Sequence, residues 1–246
     1  MPAAPPGPSA SSEGEPERFR TRQGRPTTRW PRLTRISLLL ALCAGSIGCG
    51  VWAEDTIQLT FDGRKGKDGA PEPWELRVKA GRPTFRVVEA ADRPGGVALY
   101  FRADDASFSL NRKIDLDVTK LRELTWSWMV ESFPAANKSD QVLQVLLAFK
   151  GGKVLSYVWD PTRALNATWS EGVPLLYQIK VIVAEADREP LMRWRSVTRR
   201  VDKDFESMFG KPPPPLEGVR IQSNTQYSKS VGAGFISGLV FSSALR

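Results

Sequence analysis

Histidine is absent from this 246-residue chain, and cysteine occurs only at Cys43 and Cys49. Both cysteines fall inside an apolar stretch, residues 36–53, so the chain beyond Ala53 has neither residue type. These gaps exclude much familiar chemistry. Histidine general bases, cysteine nucleophiles and the serine–histidine–aspartate triad all need a side chain that is missing. The usual zinc sets, built from His and Cys, go with them. No disulfide is available past Ala53, although an oxidising compartment would permit one, so stability there must come from packing. Carboxylate, lysine, tyrosine and hydroxyl chemistry remain.

Residues 1–35 also lack apolar periodicity. They are rich in Pro, Ser, Gly and Arg and cannot bury enough surface to offset the entropy of ordering them. Their seven arginines, Arg18 to Arg35, precede the run Ile36-Ser-Leu-Leu-Leu-Ala-Leu-Cys-Ala-Gly, and Val51-Trp52-Ala53 offers the small or modest residues that a signal peptidase reads. This order predicts a signal peptide with a basic n-region (1–35) and a hydrophobic region (36–53), cleaved near Ala53. The mature domain, residues 54–246, is then expected in the periplasm or outside the cell, with no membrane span left. Two alternatives stand behind this. Ser46-Ile47-Gly48-Cys49 would make Cys49 a lipoprotein cysteine, although a leucine usually sits where Ser46 is. An uncleaved N-terminal membrane anchor would rest on a run barely long enough to span and diluted by glycine and serine. Removing seven arginines and three glutamates lowers the formal charge from +8 to +4. Charge that is modest and spread along the chain argues against a nucleic-acid partner, which asks for a concentrated basic stripe.

The mature part reads as short alternating segments, long enough for one domain with a sizeable core. Strands are predicted at 56–61, 85–89, 97–103, 107–114, 124–130, 142–149, 154–159, 175–184, 191–198, 216–222 and 234–241. The run 142–149 is nearly continuously apolar, as for a central strand covered on both faces. Segments 175–184 and 191–198 read as a pair joined by a charged turn. One short helix is expected at 202–209, with Asp202 as its cap, Phe205, Met208 and Phe209 on one face and Gly210 closing it. Without a βαβ rhythm, the fold class is all-β: an antiparallel β-sandwich, jelly-roll-like.

No convincing catalytic pair emerges. Asp115 and Asp117 share a side if extended, but Ile114, Leu116 and Val118 alternate with them, which makes the aspartates the wet face of a half-buried strand. A calcium loop at 62–68 is opposed by Arg64, Lys65 and Lys67. No metal or cofactor is therefore expected, and the chain leans towards a non-catalytic role. Trp126 and Trp128 alternate with Thr125, Ser127 and Met129, which is the pattern of core filling. Trp159, Asp160 and Trp169 flank a loop at 161–168, where a rigid scaffold tends to place a site. Tyr157 shares a face with Trp159, and Arg193 and Arg195 emerge together with a capacity for forked hydrogen bonds to an anion. These features nominate Tyr157, Trp159, Asp160, Trp169 and Arg195 as ligand contacts, and Asn224 as a hydrogen-bonding group.

The order of several segments resembles an uncharacterised secreted bacterial family, domain of unknown function 3047. The pieces that carry the resemblance are Phe61-Asp62-Gly63, Leu124-Thr-Trp-Ser-Trp-Met-Val130, Ser139-Asp140, Tyr157-Val158-Trp159, Arg195-Ser196-Val197, Asp204-Phe205 with Phe209-Gly210, and the final strand ending at Phe241. The resemblance implies a β-sandwich akin in style to sugar-binding domains. One departure is the stretch from Ile221 to Ser230, which holds amides and hydroxyls but no carboxylate where the family tends to be Asp/Asn-rich. Asn224 and Gln226 there suit a neutral polar ligand such as a sugar. The expected partner is a carbohydrate or cell-envelope ligand. A carbohydrate-active hydrolase or lyase, and a structural partner in an envelope assembly, are the alternatives. The oligomeric state is left open.

Overall fold

The computed structural model describes residues 55–136, 139–173 and 177–243. The leader, its cleavage near Ala53, Cys49 and the first two residues of the strand predicted at 175–184 lie outside the described residues.

Two sheets carry the fold. The six-stranded sheet contains β1 (Thr56–Leu59), β3 (Thr84–Glu89), β4 (Val97–Asp104), β6 (Glu123–Ser132), β11 (Arg195–Arg200) and β13 (Val231–Ser242). Its order is β11-β6-β13-β4-β3, with β1 pairing the later half of β13. The seven-stranded sheet contains β2 (Glu75–Ala80), β5 (Ser107–Leu116), β7 (Gln141–Phe149), β8 (Lys153–Trp159), β9 (Thr168–Val173), β10 (Tyr177–Glu185) and β12 (Leu216–Asn224). It runs β2-β5-β12-β7-β8-β10-β9, and every ladder in both sheets is antiparallel except β8–β10. The result is the all-β, jelly-roll-like sandwich that the alternation predicts.

Period-2 alternation decides which side chains fill the space between the sheets. From β6 these are Leu124, Trp126, Trp128 and Val130; from β8, Leu155, Tyr157 and Trp159; all are buried. Trp126 meets Tyr157 at 5.4 Å and Trp128 meets Trp159 at 5.5 Å between ring centroids, while Trp126 and Trp128 touch edge to face at 5.2 Å. Aromatic groups from opposite sheets therefore interlock at the middle of the core, where deleting one ring costs about 3–5 kcal/mol. Between β7 and β8, Gly151 and Gly152 take φ of 84° and 73°, the left-handed conformation a tight hairpin loop needs.

Helix α1 (Val201–Phe209) begins directly after β11, and Arg200 precedes it without a side-chain capping bond. Asp202 does not cap it as expected. It sits in the first turn, pairs with Arg200 at 2.8 Å, and with Asp204 places negative charge at the positive end of the helix. Phe205 is buried against Phe149 (4.6 Å) and Phe209 (4.5 Å), and Gly210 closes the helix at φ 69°.

Three expectations need correction. Strands β10 and β11 are not a hairpin. Strand β10 sits between β8 and β9, while β11 is an edge of the other sheet beside β6. The reason is burial: β10 is apolar on both faces over Val181–Ala184, which suits an interior position, whereas β11 buries only Val197. Next, β7 is the central strand of its sheet as expected, but its second face is covered only in part. Its Val145, Leu147 and Phe149 enter the core, while on the other side Gln144 and Leu146 are buried among their neighbours and Ala148 is exposed. Finally, β2 and β9 are strands where none was predicted.

Candidate functional site

The two outer faces of the sandwich differ. Rings close that of the six-stranded sheet: Arg86 lies over Tyr100 at 4.5 Å, Tyr100 meets Phe235 at 4.8 Å, Phe235 meets Trp194 at 6.3 Å and Arg93 covers Trp194 at 5.2 Å. The outer face of the seven-stranded sheet is open. It forms a groove of about 780 Å³, within the ~300–1,000 Å³ typical of ligand sites.

Register builds this groove. Side chains alternate, so residues paired across successive strands line up on the same face. One row runs from Glu75 through Asn111 and Arg220 to Leu146, and on through Ser156 and Val181 to Trp169. A neighbouring row passes from Arg77 through Gln222 and Gln144 to Val158. Seven strands about 4.8 Å apart make a row roughly 29 Å long. The far end is aromatic and apolar: Trp169 and exposed Tyr177 stand beside Val158, Val181 and Ile179. Asn111, Gln144, Gln222 and Asn224 place amides along the other half, and exposed Tyr227 stands at its rim.

Of the nominated residues, the groove takes two. Trp169 is half-buried at its end, with its indole N–H donating to Glu171 Oε1 at 2.7 Å and the Arg163 guanidinium stacked on the ring at 4.0 Å. Asn224 lines the other half, with Nδ2 donating to the Ser139 carbonyl at 2.8 Å and Oδ1 accepting from Gln226 N at 3.3 Å. Asp160 is buried in its own turn: Oδ1 accepts from Thr162 N (2.8 Å) and Thr162 Oγ1 (2.6 Å), and Oδ2 meets Arg163 Nε at 3.1 Å. It thereby holds the cation that stacks on Trp169. Trp159 faces the core and donates its indole N–H to the Asp187 carbonyl at 2.8 Å. The hollow beside Trp159 and Asp160 measures only about 20 Å³, the size of one water and not of a sugar ring. Arg195 belongs to β11 in the opposite sheet, where it pairs with Asp187 at 3.3 Å.

Tyr157 lies in the core at 0% exposure, away from the groove. Its hydroxyl donates to Asp204 Oδ2 at 2.8 Å; Arg199 grips the same carboxylate through Nε (2.9 Å) and Nη2 (2.7 Å) and reaches Asn166 Oδ1 at 2.8 Å. Burial, then the Asp204 charge, pushes the Tyr157 pKa well above 10.0. Burial works against the Arg199 charge, but Asp204 outweighs it and holds the guanidinium above its ordinary value. A raised tyrosine pKa has a definite sign. Below pH 10.0 the phenol is protonated in both folded and unfolded chains; above it only the unfolded chain ionises freely, so stability falls with rising pH. Tyr157→Phe should flatten this alkaline decline in melts from pH 9 upward, while losing about 0.5–1.5 kcal/mol at neutral pH for the missing hydrogen bond.

The sequence reading missed Tyr177, Tyr227, Gln144, Gln222 and the groove's arginines. Gln144 was the available signal: one amide inside an apolar run marks a face that is not core. The Tyr227 loop is held by buried Asp140, whose Oδ1 and Oδ2 accept from the backbone N–H of Tyr227 (3.2 Å) and Ser228 (2.6 Å). Asp140→Ala should cost about 1–3 kcal/mol by leaving those amides without their carboxylate. It should also weaken groove binding several-fold, as calorimetry beside a thermal melt would show.

Comparison with known proteins places the chain in a family. No curated protein matches the chain. Among solved structures, a family 11 carbohydrate-binding module from Clostridium thermocellum, in complex with a β-1,3-1,4-mixed-linked tetrasaccharide, is 12% identical with a TM-score of 0.42, covering 78% of this chain and 97% of that one. The xyloglucanase domain of NopAA, a type three effector from Sinorhizobium fredii, in complex with cellobiose, is 10% identical with a TM-score of 0.45, covering 69% and 92%. Likeness at these scores does not bear on the groove. A family model does match, over residues 72–239, from the loop before β2 into β13. The chain thus belongs to the family described as Protein of unknown function (DUF3047).

Proposed function

We propose that this is an exported, non-catalytic β-sandwich protein that binds a carbohydrate across the strands of its seven-stranded sheet. The observation that carries this reading is the open groove of about 780 Å³, with rings at one end and amides along the other. A sugar presents apolar C–H faces and a rim of hydroxyls; aromatic groups match the first and amides the second. Leu146, Ala148 and Val154 floor the groove between them, under a lining otherwise rich in polar and charged side chains, a mixture that suits a ligand with both apolar faces and hydroxyls.

Hydrolysis fits less well. The carboxylates lining the groove are Glu75, Glu171 and Glu217. Glu75 and Glu217 stand two strands apart and are offset along the strands, so their backbones are separated by more than about 10 Å. Glycosidase pairs bring their carboxyls to about 5–9.5 Å, a separation these two glutamates would meet only with both side chains extended towards each other. Glu171 is further off, on the edge strand β9, and already accepts the Trp169 N–H.

The test is calorimetry of the purified protein against a panel of plant and bacterial polysaccharides, with tryptophan fluorescence read in parallel. Saturable binding that shields Trp169 from acrylamide is expected, read in a Trp194→Phe background because Trp194 on the opposite sheet is half-buried too, whereas the core tryptophans are already shielded. Binding to no member of the panel, or binding that leaves Trp169 open to quencher, would overturn the reading.

A further inference from the structure

The two halves of the groove differ electrically. Its β2–β5–β12 end carries Arg77, Lys79, Lys113 and Arg220, all exposed. Lys79 is engaged at the rim, with Nζ 3.5 Å from the Tyr227 hydroxyl. The other three have no carboxylate within 4.0 Å among the described residues, although Glu75 and Glu217 line the same end. Surface guanidinium groups commonly pair with a nearby acid; here the acids stand off, and Arg77 and Arg220 lie close enough to feel each other's charge.

Arg220 is also oriented. Its Nε donates to Asn111 Oδ1 at 2.7 Å, and the Asn111 amide is anchored in turn by Nδ2 donating to Ser109 Oγ at 3.0 Å. This fixes the plane of the guanidinium while its two terminal nitrogens meet no partner among the described residues. Arg220 reaches solvent, but the groups crowded around its guanidinium strip away part of its hydration; this desolvation, then the like charge of Arg77, draws its pKa below its ordinary value. An anion seated between the two would relieve both effects. A planar fork with free terminal N–H groups is the shape that carboxylates and sulfates take in paired hydrogen bonds.

We infer that this end of the groove is an anion subsite formed by Arg77, Arg220 and Lys113, and that the ligand is an acidic glycan bearing a carboxylate or sulfate. The inference rests on the glycan-binding reading of the groove and narrows it. The chain lays its anionic substituent at Arg77 and Arg220 and stacks a ring of the same molecule towards Trp169 and Tyr177. The separation of cations and rings at opposite ends sets the direction in which the glycan lies.

Calorimetry at low ionic strength with three probes of equal length tests this: an oligouronate, a sulfated neutral oligosaccharide and its unsulfated parent. At least one acidic probe should bind about tenfold or more tighter than the neutral one, and the advantage should shrink as salt rises. Which acidic probe gains more identifies the substituent. The double variant Arg77→Gln/Arg220→Gln should lose the advantage while keeping the affinity for the neutral parent, which also shows that it is folded. Lys120→Gln removes one exposed charge from the turn after β5 and should leave the advantage unchanged. If the neutral parent binds as tightly as both acidic probes, the anion subsite is wrong and the groove reading stands. If Lys120→Gln erodes the advantage as much as the double variant, the preference is bulk charge and the subsite is wrong. If none of the three binds, the groove reading falls and takes this inference with it.

Discussion

Asp204→Ala is expected to lower the unfolding free energy by about 3–5 kcal/mol, the loss seen when one partner of a buried pair is removed. Asp204 and Arg199 are only 16% and 20% exposed at the side chain. The carboxylate accepts three hydrogen bonds, two from Arg199 and one from the Tyr157 hydroxyl. Its removal strands a mostly buried guanidinium, which reaches water only at its outer edge, and a fully buried phenol, which has none to turn to. For a domain of this size the melting temperature should drop by about 6–20 °C. A neighbouring pair supplies the control. Lys203 and Glu206 lie on the same helix but are 64% and 44% exposed, so breaking them should cost about 0.5 kcal/mol or less. Equal losses from the two would show that burial of the Asp204 cluster is not what stabilises it. Arg199 also holds Asn166, in the loop that leads into β9. The damage is therefore expected to reach the strand that carries Trp169, as earlier hydrogen exchange in β9 than in β7.

Trp169→Ala should weaken glycan binding by about 30-fold or more, the effect of removing an aromatic anchor worth 2 kcal/mol or above. The ring is half-buried at the groove end and fixed on two sides, by Glu171 at its N–H and Arg163 across its face. A pre-set ring loses little entropy when a sugar docks, so most of the contact energy survives as affinity. Its loss should leave the fold in place, because Trp169 packs only against the small satellite cluster of Val158, Val181 and Val183 and not in the main core. Trp169→Phe keeps a stacking face and should recover much of the affinity. Calorimetry of wild type and both variants, with circular dichroism to confirm folding, decides it. Unchanged affinity in the alanine variant would remove the aromatic end from the binding site.

Much of the fold was readable residue by residue. Trp126 and Trp128 alternate with Thr125, Ser127 and Met129, and both are fully buried. The double glycine at Gly151-Gly152 announced a tight loop, and Phe205, Phe209 and Gly210 announced α1 and its end. Strand β2 was legible too, because Leu76 and Val78 alternate with Glu75, Arg77 and Lys79, but the charged face of an edge strand masked it. The site was far less legible. Tyr157, Trp159 and Trp169 belong to neighbouring stretches, yet the first two face the core and the third faces solvent. Alternation tells which residues share a face of a strand; it does not tell which face is inside.

The sequence by itself determined the chemistry that is ruled out, the all-β class and the period that sorts each strand into two faces. These depend on residue type and local spacing, which travel with the chain. Only the tertiary structure decided that the outer face of the seven-stranded sheet stays open while rings close the other. It also brought Arg77, Trp169 and Arg220, from β2, β9 and β12, onto one surface. Strand order and register are set by which burials the whole chain satisfies at once, and no local window of sequence contains that competition.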